Sequence, residues 1–240
     1  MSNQQYPETY HAIGIPVDEI IIVKPKESWY VFKVLNIVFV QLLVTIGMAV
    51  TAYYNKTVLI NYIEKDKGII VLPIVFSLGS LIAISCCKPI KSIAYLLFVI
   101  FTLSMAAMIA IAILPYSPQI LIIATTATAV TVFAINSVAL YCAMKNIDFT
   151  YLGPGLFGAL CGILVLTILQ YFIHSTIMAM FISIFGILIF STYLLYDLNR
   201  LYNRDDYEDD PILAAINIYL DIINLFLYIL QFLQLTGNND

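Results

Sequence analysis

Charge is what this chain has least of. Only 11% of its 240 residues are Asp, Glu, Lys or Arg, 62% are hydrophobic, and the mean hydropathy is +0.95. Soluble domains carry about 25% charged residues, so a water-soluble globular fold is excluded. Histidine is also scarce: His11 and His174 both read as loop residues. The four cysteines, Cys86, Cys87, Cys142 and Cys161, form no C-x-x-C pair and lie in or at the ends of apolar stretches. They read as reduced thiols rather than a disulfide framework or a zinc site, with palmitoylation of Cys86 and Cys87 as the alternative. No HExxH, Gly-rich phosphate loop, Cys/His cluster or Ser/His/Asp arrangement occurs. No metal, cofactor or nucleic-acid partner is expected, and the net charge of -4 says little because charge is confined to loops and termini.

What the chain has instead is long apolar runs. Seven reach the roughly 20 residues that a bilayer core requires, over about 30–54, 69–87, 92–114, 119–142, 153 onward, 177–199 and 211–235. The expected class is an all-α integral membrane protein with a seven-span domain over 29–235, flanked by an amino-terminal segment, 1–28, and a short tail, 236–240. Residues 1–28 mix Pro7, Pro16 and Pro25 with acids and lysines, so neither a span nor a cleavable signal peptide is expected there.

Within the spans, the sequence predicts several local features. Pro73 breaks the second run, and NKTVLINYIEKDKG before it reads as a polar loop. The turn PYSP ends the third run. In the fifth, Gly155, Gly158, Ala159 and Gly162 would let neighbouring backbones approach closely. Lys33, Asn36 and Gln41 suggest that one side of the first span faces protein. Asn55-Lys56-Thr57 matches a glycosylation sequon but lies too near the membrane to be modified.

Orientation follows from the basic residues. With the amino terminus in the cytosol, that side holds Lys24, Lys26, Lys33, Lys88, Lys91, Lys145, Arg200 and Arg204, against Lys56, Lys65 and Lys67 opposite. The last run either crosses completely or re-enters.

That last run also carries the polar residues that need explaining. Asn217, Asp221, Asn224, Tyr228 and Gln231 follow one another at steps of four, three, four and three, which is one helical face. A carboxylate near mid-bilayer costs about 3 kcal/mol or more, so this face must meet protein or trapped water. Asp197, near the end of the sixth run, is the other ionisable group clearly inside a span. It lies close to the membrane edge, whereas Asp221 is about 15 Å along its own helix, so tilt or a helical extension of the sixth span is needed for them to meet. At about 4 Å and an effective dielectric of about 20 their repulsion would be about 4 kcal/mol, enough to make them share one proton and titrate as a unit. Such a pair would act as a latch, closed when the proton bridges it and loosened when both groups ionise. The simpler reading is that each accepts hydrogen bonds from Tyr or Asn neighbours. Arg200, one turn after Asp197, could pair with it and hold it ionised, which would work against a shared proton. Asp205, Asp206, Glu208, Asp209 and Asp210 would concentrate cations at the adjoining mouth, or serve only as a solvated linker in which Asp209 or Asp210 caps the helix that starts at Pro211.

The segment DPILAAINIYLDIINLFLYILQFL, with STYLLYDLNRL upstream, resembles the transmembrane Bax-inhibitor motif (Lifeguard) family, above all its Golgi anti-apoptotic branch with cellular and poxviral members. KVLNIVFVQLLVT, FSLGS and DFTYLGPGLFGAL extend the likeness over about 30–235. The resemblance implies six helices around a central seventh, residence in Golgi and endoplasmic reticulum membranes, calcium leak from those stores, and suppression of apoptosis. Calcium would be the permeant ion. Membrane lipid would surround the protein, and further copies of the chain or apoptosis and calcium-channel proteins would be its partners. Asp197 and Asp221 match the family's pH-sensing pair; the sequence pattern itself adds Asn217, Asn224, Tyr228 and Arg200 as a supporting polar stripe. Two departures stand out: 69–87 lacks the arginine with which bacterial relatives latch the first aspartate, and TGNND lacks the basic tail of several relatives. An intramembrane aspartyl protease would place its second aspartate in G-x-G-D with P-A-L later; Asp221 lies in IYLD and neither motif occurs, so no enzyme is expected. The competing reading is a non-conducting membrane adaptor that acts through partner helices.

Overall fold

The computed structural model describes residues 25–66, 68–87, 90–203 and 210–237. Among these are eight α-helices and no strand: α1 (Pro25–Tyr54), α2 (Lys56–Lys65), α3 (Gly68–Cys87), α4 (Lys91–Ala112), α5 (Pro118–Met144), α6 (Gly153–Ile173), α7 (Thr176–Tyr202) and α8 (Pro211–Gly237), with a 3₁₀ turn at Thr150–Leu152. All but α2 are long and apolar enough to cross a membrane.

Local chemistry marks the helix ends. The Ile120 amide donates to Ser117 Oγ at 3.5 Å ahead of Pro118, and the Met178 amide to Ser175 Oγ at 3.4 Å. These side chains satisfy donors that a helix start leaves open. His174 closes α6 in the left-handed conformation, with φ of 54°.

α8 is the hub. More than half (56%) of its most apolar window is buried inside the protein, against at most 33% for any other span. It packs against α7, α1 and α5 and touches α4, while α3 is carried mainly by α4, and α6 mainly by α7. The bundle is therefore all-α with α8 central, as expected, and α3 and α6 form its outer edges.

Four expectations change. NKTVLINYIEKDKG is not a loop: most of it forms α2, because Val58, Leu59, Tyr62 and Ile63 recur at helical spacing. α3 is not broken at Pro73, which lies in its second turn, where only one backbone bond is forfeited. Lys33, Asn36 and Gln41 do not share a face. Five residues at about 100° each separate Asn36 from Gln41 by about 140°, so Gln41 is fully buried while Asn36 is exposed. The α6 glycines do not admit a neighbouring helix of this chain: nothing lies within 4 Å of where a Cβ would stand at Gly155, Gly158 or Gly162.

Candidate functional site

The α7–α8 interface is built around one close approach. Gly186 of α7 leaves the space that the ring of Tyr228 occupies; a Cβ there would collide with Tyr228. The Tyr228 ring stacks on Phe190 at 5.6 Å between centroids, and its hydroxyl shares a hydrogen bond with Thr167, which ties α6 to α8. With the helices held this close, and with α7 continuing helical to Tyr202, Asp197 comes level with Asp221. The two side chains share a hydrogen bond.

Asp221 is only 6% exposed, and its Oδ2 has no hydrogen-bond partner. Two ionised carboxylates have acceptors only, so a hydrogen bond between them requires a proton on one. Around the pair lie Arg200, whose guanidinium interacts electrostatically with Asp197, and Tyr193, which lies within electrostatic reach of both aspartates as well as of Cys161 on α6 and Tyr196 on α7. The Tyr196 hydroxyl also reaches the start of α6, 3.2 Å from where a Gly153 Cβ would be.

The rest of the predicted stripe divides. Asn224 donates from Nδ2 to the Leu220 carbonyl at 2.8 Å, and so closes on its own helix. Asn217 is exposed, six residues after Pro211, so the inward part of the stripe begins at Asp221. Asp205, Asp206, Glu208 and Asp209 lie outside the described residues. Asp210 caps α8, accepting the Ile212 amide at 3.0 Å on Oδ1. Among the described residues no group of three or more His, Cys, Asp or Glu could hold a metal ion. Cys86 and Cys161 are exposed free thiols and Cys142 a buried one; the Cys87 side chain lies outside the described residues.

Sequence reasoning missed a second polar cluster on the opposite side of α8. Tyr219, two residues and so about 200° from Asp221, pairs its hydroxyl with Thr45 Oγ1 at 2.8 Å. Gln41 donates from Nε2 to Thr102 Oγ1 at 3.2 Å, and its Oε1 is buried without a partner. It missed Asn199 too, which is 1% exposed and anchors the α5–α6 connection. Asn199 donates to the Ile147 carbonyl at 3.0 Å and accepts the Phe149 amide at 3.2 Å. The available signal was a polar residue two positions after Asp197, which puts it on another face of α7.

Comparison with known proteins gives the same pattern a family. The model of the family described as "Inhibitor of apoptosis-promoting Bax1" matches residues 27–239. The chain is 34% identical to "Protein LIFEGUARD 1" of Arabidopsis thaliana over 209 residues, 84% of this chain and 86% of that protein. It is 29% identical over 204 residues to "Protein lifeguard 4" of Mus musculus, covering 84% and 83% of the two chains. It is 36% identical to the "Golgi anti-apoptotic protein" of Vaccinia virus (strain Lister) over 111 residues, 46% of each chain. With seven apolar helices, α8 among them at the centre, and a match along nearly its whole length, the chain belongs to the Bax-inhibitor motif, or Lifeguard, family of membrane proteins.

Proposed function

We propose that this protein is a calcium leak channel of Golgi and endoplasmic reticulum membranes that suppresses apoptosis, gated by Asp197 and Asp221. The observation that carries this reading is a hydrogen-bonded carboxyl pair at the interface of the most buried helix with its closest neighbour. Ionisable groups inside a membrane domain are costly and serve ion or proton pathways as a rule. A bridging proton holds α7 to α8. Its loss leaves two like charges facing each other in a poorly solvated site and drives the helices apart. Arg200 supplies the cation beside Asp197 in a chain whose α3 carries neither Lys nor Arg. Golgi residence is supported by the name of the vaccinia relative, and a cytosolic amino terminus by the excess of Lys and Arg on that side. Asp205, Asp206, Glu208, Asp209 and Asp210 would raise the local cation concentration at the mouth.

The test is calcium efflux from liposomes holding purified protein, measured across pH for wild type, Asp197→Asn and Asp221→Asn. The expected result is a leak that rises with pH in the wild type and loses its pH dependence in Asp221→Asn, where an amide keeps a hydrogen bond without titrating. Well-folded wild type that passes no calcium would overturn the channel. Flux indifferent to both substitutions would remove the latch.

The open face of α6 favours a second reading, a non-conducting adaptor. Gly155, Gly158 and Gly162 form an exposed small-residue track of the kind that transmembrane partners use. Protection from apoptosis that survives in variants without calcium flux would select this reading.

A further inference from the structure

Near the amino-terminal end of the bundle, α1 and α4 bound an open groove of about 440 Å³, and its floor residue Phe98 also packs against the core. Its walls include Trp29, Phe32, Lys33, Asn36 and Val40 from α1 and Phe98 from α4. Trp29, Phe32 and Val40 are 62%, 67% and 56% exposed, so the groove opens outward, where a spanning helix meets lipid.

Three properties define what fits it. The first is length: Trp29 to Val40 is eleven steps of 1.5 Å, about 16 Å, which is one leaflet of a hydrocarbon core about 30 Å thick. The second is polarity, which is graded along the groove. Trp29 stands at the end that belongs at the membrane interface, and the wall becomes purely apolar toward Val40. The third is charge. The Lys33 ammonium lies 5.2 Å from the Trp29 ring centroid, and among the described residues it has no carboxylate partner. Asn36 spends one amide hydrogen on the Phe32 carbonyl at 2.7 Å and leaves the other for an ester oxygen. A cation one turn below an interfacial tryptophan needs an anion that reaches it from the headgroup layer, and the apolar floor needs a chain.

We infer that this groove is a binding site for a single anionic glycerophospholipid, its phosphate on Lys33 and one acyl chain along Phe32, Val40 and Phe98. The lipid is a structural ligand of the α1–α4 pair. The inference is independent of the channel reading.

Trp29 is the protein's only tryptophan, so it reports on the site directly. Full-length protein in nanodiscs would be titrated with acyl-brominated phosphatidylserine or acyl-brominated phosphatidylcholine at equal mole fraction, with tryptophan quenching as the readout. The expected result is at least twofold stronger quenching by the anionic lipid. Lys33→Gln should abolish that preference, and Lys33→Arg and Lys56→Gln should keep it. Equal quenching by the two lipids in the wild type would overturn the site. So would weak quenching by both, which would mean that protein fills the groove, or a preference that persists in helical, monodisperse Lys33→Gln.

Discussion

At the scale of single residues, Gly186 decides more than either aspartate about whether the pair can form. It is buried on α7 and faces the Tyr228 ring, so any side chain there pushes α8 away from α7. Gly186→Ala is expected to destabilise the protein by about 1–3 kcal/mol, the usual cost of overpacking. The thermal midpoint in detergent would fall accordingly, and Tyr228→Ala in the same chain should recover part of the loss because it empties the space. Gly158→Ala, with nothing within 4 Å of the new methyl, should change the midpoint little. Additive losses at Gly186 and Tyr228 would show that the two do not share this space. Nothing in the local sequence distinguishes Gly186 from Gly158, since the collision partner is 42 positions away.

At the scale of elements, the cap of α8 was legible to within one residue, Asp209 or Asp210. A carboxylate ahead of Pro211 is a standard helix start, and Asp210 accepts the Ile212 amide as that pattern requires. Asp210→Ala should cost about 1 kcal/mol, and Asp210→Asn much less, read as shifts in the same melting midpoint. Equal effects from the two substitutions would mean that the charge of Asp210, rather than its capping oxygen, is what matters. α2 was harder to recognise. Its 10 residues are too few to span, and its apolar positions, none of them buried, sit among Lys56, Asn61, Glu64 and Lys65, so polarity alone reads as a loop. The Asn55 Nδ2 donates to the Thr51 carbonyl at 2.8 Å, within the junction between α1 and α2.

At the scale of the whole molecule, the seven long helices set the topology. α8 runs unbroken from Pro211 to Gly237, about 40 Å at 1.5 Å per residue, which exceeds a hydrocarbon core of about 30 Å. That length suits a full crossing rather than a re-entrant turn, and seven such crossings would place residues 25 and 237 on opposite sides. Split-reporter tags at the two ends of the full chain should report opposite compartments; a shared compartment would contradict a crossing α8. The two polar clusters flank α8 on opposite sides, Asp197–Asp221 toward α7 and Thr45–Tyr219 toward α1. α8 thus carries polar contacts at two interfaces at once.

The sequence by itself determined the membrane class, the seven long apolar runs, the capped start of the last and the need for a protected Asp221. Each of these depends on hydropathy or hydrogen bonding within a few residues. Only the tertiary structure decided which polar groups meet, as with Thr45 and Tyr219 across 174 positions, and which apolar faces turn outward, as at α6 and along Trp29–Val40. The physical reason lies in the solvent. Lipid tails are as apolar as leucine, so an apolar face carries no local mark of whether protein or bilayer will cover it; packing shape and a few polar contacts make that choice.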